Sequence, residues 1–146
     1  MKQAFINEIR AFNRFYTNII GLLDRHILDS SYSLPEVRVL YELYHSPMLT
    51  ASDIIALLDI DKGYLSRILK HFEKNKLITK AGSPTDKRAA MLQLTNKGKA
   101  VFETLNEASD KQVGTTFKDL TEKECQELVQ KMKEIQLLIN RKNLKK

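Results

Sequence analysis

Between positions 62 and 88 the sequence concentrates side chains able to bind a polyanion. Lys62, Arg67, Lys70, Lys74, Lys76, Lys80, Lys87 and Arg88 are opposed only by Glu73 and Asp86, so this segment carries +6. The whole 146-residue chain also carries +6, so the rest of it is neutral and the excess is local. The spacing sorts these residues further. At 3.6 residues per turn Leu65, Ile68, Leu69 and Phe72 share one arc of a helix and predict its core face. The opposite arc holds Gly63, Ser66, Arg67, Lys70 and Lys74. Small and hydroxyl residues near the start, with cations further along, suit a helix lying in the major groove of a duplex. A solvated basic face on an ordinary surface helix has the same pattern, so the helix alone does not decide.

The residues that follow add weight. Gly82-Ser-Pro-Thr-Asp-Lys-Arg88 is rich in turn formers. It lies between two short strand-like runs, Leu77 to Ala81 and Ala89 to Leu94. Lys87 and Arg88 fall at the tip of that hairpin, where core packing does not explain them. An arginine on a narrow β-ribbon can enter the minor groove, drawn by its negative potential. Asp86 beside it reads as the acceptor that holds Arg88 extended.

Other chemistries find little support. There is no His-Glu-x-x-His, no phosphate-cradling glycine loop and no serine on a strand-to-helix elbow. His26, His45 and His71 lack metal-ligand spacing. Asp53 and Asp61 are accounted for as helix caps. Cys125, the one cysteine, excludes an internal disulfide and reads as a packing residue of the last helix, with no cation cluster to activate it. The expectation is a non-enzyme with no cofactor and no metal. The longest apolar stretches, such as Ile19 to Leu23, are far short of a membrane span, and the N-terminus has charges inside any apolar region. A cytoplasmic location without membrane contact is expected.

The elements that must position these residues are mostly helical. Phe5, Ile9, Phe12, Tyr16, Ile19 and Leu23 recur at four–three spacing, and Ile6, Phe15, Ile20, Leu22 and Ile27 widen the stripe. A first helix from about Gln3 to Leu28 is therefore either a buried core helix or one that buries its surface against a second subunit. Ser33-Leu-Pro-Glu36 has the form of a capping box, opening a helix through Val37, Leu40, Tyr41 and Tyr44. Thr50-Ala-Ser-Asp53 repeats the device for a short helix carrying Ile54, Ile55, Leu57 and Leu58. Asp61 caps the helix from about Lys62 to Asn75. After the hairpin, Thr95 caps a long helix ending near Gly114 to Phe117. Thr121-Glu-Lys-Glu124 opens a terminal helix whose cationic end, Arg141 to Lys146, complements its dipole.

Asp86-Lys-Arg88-Ala-Ala-Met-Leu-Gln-Leu94-Thr95-Asn-Lys-Gly98 resembles the wing signature of the MarR family of bacterial and archaeal regulators: Asp-x-Arg, a strand, then Leu-Thr-x-x-Gly. Leu65-Ser66-Arg67 and Leu77-Ile78 match as well, so the likeness runs from about Ser33 to Gly98. Asp61-Lys-Gly-Tyr-Leu-Ser-Arg67 is similar to the MarR half of fusions with an acetyltransferase. No second domain follows in this sequence, and that activity is not carried over.

The resemblance implies a mainly α fold with a small β-hairpin wing: a winged helix-turn-helix at 33–94, a connecting helix at 95–117, and helices at 1–30 and 118–146 forming a dimerisation bundle. It implies a homodimeric transcription regulator, a repressor rather than an activator, reading a pseudo-palindrome in double-stranded DNA. The DNA-binding residues would be Thr50, Ser52, Lys62, Gly63, Tyr64, Ser66, Arg67, Lys70, Lys74, Asp86, Lys87 and Arg88. It further implies release by a small aromatic or phenolic effector, for which Phe12, Phe15, Tyr16, Tyr41, Tyr44 and His45 are the candidate contacts. Each of these rings also reads as ordinary packing. The rival reading is a winged module that binds protein and no operator.

Overall fold

The computed structural model describes residues 1–27, 30–82 and 90–143; for 21–27 and 142–143 it describes the backbone alone. Among the described residues, six helices and a two-stranded antiparallel sheet follow in the order α1 (Gln3–Ile27), α2 (Leu34–His45), α3 (Ala51–Leu58), α4 (Lys62–Lys74), β1 (Ile78–Gly82), β2 (Ala90–Leu94), α5 (Asn96–Thr116) and α6 (Glu122–Asn143). This is a winged helix-turn-helix between longer flanking helices, as the sequence predicts. Among the described residues no helix is long and apolar enough to cross a membrane.

The helix starts are set by side chains that satisfy first-turn amides. Ser33 Oγ accepts from Glu36 N while Glu36 Oε1 accepts from Ser33 N. Thr50 and Asp53 exchange the same pair of bonds, as do Thr121 and Glu124. Asp61 Oδ2 accepts from Tyr64 N at 3.0 Å. The carboxylates of Asp53 and Asp61 are therefore engaged as caps.

The end of α4 carries the least obvious local structure. Lys76 adopts a left-handed conformation with φ 59°. Its N–H donates to Glu73 O at 3.0 Å, and Leu77 N donates to Phe72 O at 2.9 Å, the reciprocal pattern that ends a helix on a left-handed residue. Leu77 and Phe72 are both fully buried, so the turn is also clamped by an apolar contact. An L side chain at Lys76 works against that backbone. Lys76→Gly should raise stability by about 1 kcal/mol in urea titration, and Lys76→Val should lower it.

Ile78 pairs with Leu94, Lys80 with Leu92 and Gly82 with Ala90. The first strand thus starts and ends one residue later than the hydrophobic pattern suggests: Leu77 belongs to the turn, and Gly82 is a strand residue rather than part of the tip. Leu92 N also donates to Leu49 O at 2.8 Å, in an isolated bridge that ties the sheet to the chain entering α3.

The chain divides into two compact units, Met1–Gln112 and Val113–Lys146. The core lies in the first. Val39, Leu40 and Leu43 of α2, Ile54 of α3, Leu65, Ile68, Leu69 and Phe72 of α4, Leu77, Ile78 and Leu92 of the wing, and Phe102 and Leu105 of α5 are all buried. The four-residue arc expected for α4 is its buried face. Among the described residues no polar side chain is buried.

The reading of α1 as a core helix fails. Phe5, Ile9, Phe12 and Phe15 are 58%, 51%, 49% and 63% exposed, so the part of the stripe from Phe5 to Tyr16 stays on the surface of the single chain. In the second unit, α6 likewise exposes Val129, Ile135, Leu137, Leu138 and Ile139.

Candidate nucleic-acid interface

With Leu65, Ile68, Leu69 and Phe72 anchored in the core, helical periodicity turns the other face of α4 outward. Lys62, Gly63, Ser66, Arg67, Lys70 and Lys74 are all exposed, as the spacing predicts. Tyr64 is half-buried and packs against the core. The Cζ of Arg67 lies 5.7 Å from its ring centroid.

Two bridges brace α4 against its neighbours. Glu36 uses one carboxylate oxygen for the α2 cap and the other, Oε2, to accept from His71 Nδ1 at 3.0 Å. Lys80 of β1 reaches Glu73 Oε1 at 3.2 Å. Helix α4 is thereby tied to the start of α2 and to the wing. Both bridges are partly exposed, so they orient the helix more than they stabilise the fold.

Beside α4 lies a concavity of about 230 Å³ lined by Ala51, Ser52, Ile55, Lys62, Leu65, Ser66, Leu69, Lys70 and Lys80. It brings together the hydroxyls and ammonium groups of four expected DNA-binding residues, Ser52, Lys62, Ser66 and Lys70. It also adds Lys80, which the sequence places in the basic segment but not among the expected DNA-binding residues. The signal for Lys80 was its place two residues after the buried Ile78, which puts it on the same face of β1. Thr50 is half-buried, its hydroxyl committed to Asp53 N. Its main remaining offer to an anion is the positive end of the short helix. Asp86, Lys87 and Arg88 lie outside the described residues.

The residues proposed for an effector fall into two groups. Phe12 and Tyr16 stack on one another along α1, centroids 5.7 Å apart, and Phe15 is exposed on the same helix. Tyr41, Tyr44 and His45 gather with Phe102 of α5: Tyr41 and His45 are 4.2 Å apart, Tyr44 and Phe102 4.5 Å. His45 Nδ1–H donates to Tyr41 O at 2.9 Å. The Tyr44 hydroxyl donates to Glu103 Oε1 at 2.9 Å. That hydrogen bond, with the nearby carboxylate charge, pushes the phenol pKa above its ordinary value. Among the described residues no ring contact joins the two groups. Sequence spacing missed Phe102 and Glu103, which enter through the packing of α5. It also missed a separate open cavity of about 320 Å³ lined by Ser30, Tyr32, Lys97, Ala100, Val101, Thr104 and Leu105.

Comparison with known proteins agrees with this architecture. Residues 30–89 match the MarR family model. The chain is 28% identical over 127 residues to the HTH-type transcriptional regulator MgrA of Staphylococcus aureus, covering 86% of this chain and 80% of that one. Its fold is similar to that of a MarR variant from E. coli complexed with operator DNA, at TM-score 0.74 and 22% identity over 88% of this chain and 96% of the other. It is also similar to that of BpsR from Bordetella bronchiseptica, whose structure concerns regulation of DNA binding by 6-hydroxynicotinic acid, at TM-score 0.73 and 20% identity over 89% and 98%. The winged module and the outward basic helix agree with these likenesses: residues 30–89 form a MarR-family module, similar to that of transcriptional regulators of this family.

Proposed function

We propose that this regulator is a homodimeric, ligand-responsive repressor that reads a pseudo-palindromic operator in double-stranded DNA. The outward face of α4 supports this most. Ser66 and Arg67 sit where a helix offers donors to base edges, and Lys62, Lys70 and Lys74 surround them with charge for phosphates. Two such helices, presented by two copies, would meet major grooves about one helical turn, roughly 10 bp, apart. Asp86, Lys87 and Arg88 would supply the minor-groove arm. Thr50 and Ser52 would hold a phosphate at the start of α3.

Ligand response is supported by the aromatic groups on α1 and around Phe102, and by the likeness in fold to BpsR. A small aromatic or phenolic acid is the chemistry that stacks on such rings and engages His45 or Tyr44.

Sequencing duplex fragments selected by the purified protein tests the reading, followed by salt titration on the best site. Affinity should fall steeply with salt, because phosphate neutralisation releases counterions. Arg67→Ala should weaken operator binding by about 10- to 100-fold and relax preference at one position of each half-site. Lys74→Ala should weaken binding to all duplexes alike and lower the salt slope by about one. Absence of duplex binding at low salt, with a salt-insensitive protein partner instead, would overturn the proposal.

A further inference from the structure

We propose that Tyr64 is a positioning residue for Arg67: its ring, held by the core, aims the guanidinium at the duplex and so governs operator discrimination without itself touching a base. The inference rests on the reading of α4 as the DNA-facing helix.

Tyr64 is fixed from two sides. Its backbone N–H is bonded to the Asp61 cap at 3.0 Å, and its ring is half-buried against the core cluster. Arg67 follows three residues later on the same face, where side chains of a helix meet. Its Cζ stands 5.7 Å from the ring centroid, within the range of a cation–π contact.

What Arg67 lacks matters equally. The ion pairs among the described residues join His71 to Glu36, Lys80 to Glu73 and Lys131 to Glu127; none involves Arg67. A carboxylate would orient Arg67 but would occupy its donors and cancel its charge. An aromatic face orients the group through its π surface and leaves the in-plane N–H fork free. Arginine reads guanine through that fork, so a group already held in place loses less rotamer freedom on binding. Lysines have no such rigid plane. Tyr64 therefore acts on the specific part of binding more than on the general attraction to phosphate.

The test is a double-mutant cycle, read by titration of operator and of an unrelated duplex. Tyr64→Leu should weaken operator binding about fivefold while leaving the unrelated duplex and the Tm nearly unchanged. Tyr64→Phe, which keeps the ring, should bind the operator like the unmodified protein. In an Arg67→Ala background Tyr64→Leu should have no further effect. The proposal is overturned if Tyr64→Phe is as weak as Tyr64→Leu, which would show a direct contact by the hydroxyl. It is equally overturned if Tyr64→Leu costs the same with and without Arg67. Should Tyr64→Leu lower the Tm, Arg67→Lys supplies the second arm: replacing the phenol ring by leucine must then matter less than it does beside arginine. If the unmodified protein binds no selected duplex, the reading of α4 falls and this proposal with it. Operator binding without coupling between the two residues removes this proposal alone.

Discussion

Gly98→Ala should be the most damaging alanine substitution among the described glycines. A Cβ built on Gly98 would stand 2.2 Å from the backbone oxygen of Leu77 and 3.1 Å from its carbonyl carbon. Neither can swing aside as a side-chain tip can. That oxygen accepts from Thr95 N at 2.9 Å, and Thr95 Oγ1 in turn accepts from Gly98 N and donates to Lys76 O at 2.7 Å. Lys97 adds a third tie to that turn, donating to Asn75 O at 3.0 Å. The first turn of α5 is thus seated on the turn that ends α4. Forcing the two apart breaks several of these bonds together and pulls Leu77 from the core. Overpacking alone costs about 1–3 kcal/mol, and the lost bonds about 1 kcal/mol each. A loss of roughly 3 kcal/mol or more is expected, lowering Tm by on the order of 10 °C. Operator binding should weaken beyond the share explained by unfolding, because the seat also sets the exit of α4. Differential scanning calorimetry checks the first expectation. A Tm within a degree or two of the unmodified protein would show that α5 can lift off its seat without cost.

The same position shows how far the sequence could be read. The Leu-Thr-x-x-Gly pattern was visible as a resemblance, and Thr95 was recognisable as a cap. The reason for glycine was not: it depends on a carbonyl from a different element, and periodicity carries no information about that approach. The α4 faces were legible because one helix must divide four apolar residues from its basic ones, and Leu65 to Phe72 leave a single arc for the core. The capping boxes at Ser33, Thr50 and Thr121 were legible because the partners are three residues apart. The bonds from Glu36 to His71, from Tyr44 to Glu103 and from Leu92 to Leu49 join distant segments, and no local pattern announces them. Lys76 was hidden for another reason. A left-handed residue there suggests glycine or asparagine, and a lysine held by the burial of Leu77 gives no such signal. For α1 the spacing gave the stripe correctly but not what it faces, since a helix buried in its own core and one awaiting another surface share the same period.

That uncovered stripe carries the other large effect. Ile9→Glu on α1 and Leu138→Glu on α6 each place a charge on an apolar side chain that is 51% and 64% exposed in the single chain. If these helices faced only water, the changes would move stability by no more than about 0.5 kcal/mol. If they join two copies, each charge is buried twice in a symmetric interface, because the same patch contributes from both sides. An unpaired buried charge costs several kcal/mol, so either variant should turn a dimer into a monomer at micromolar concentration. The effect on DNA follows from linkage. Once one half-site is engaged, the second is met at an effective concentration near millimolar, and splitting the dimer forfeits about 10²- to 10⁴-fold in operator affinity. Binding to an isolated half-site should barely change, since α4 is untouched. Analytical ultracentrifugation and titration on full and half operators separate these effects. Variants that stay dimeric and bind the full operator normally would move the interface away from α1 and α6. An unmodified protein that is monomeric yet binds a palindrome no better than a half-site would remove the dimer altogether.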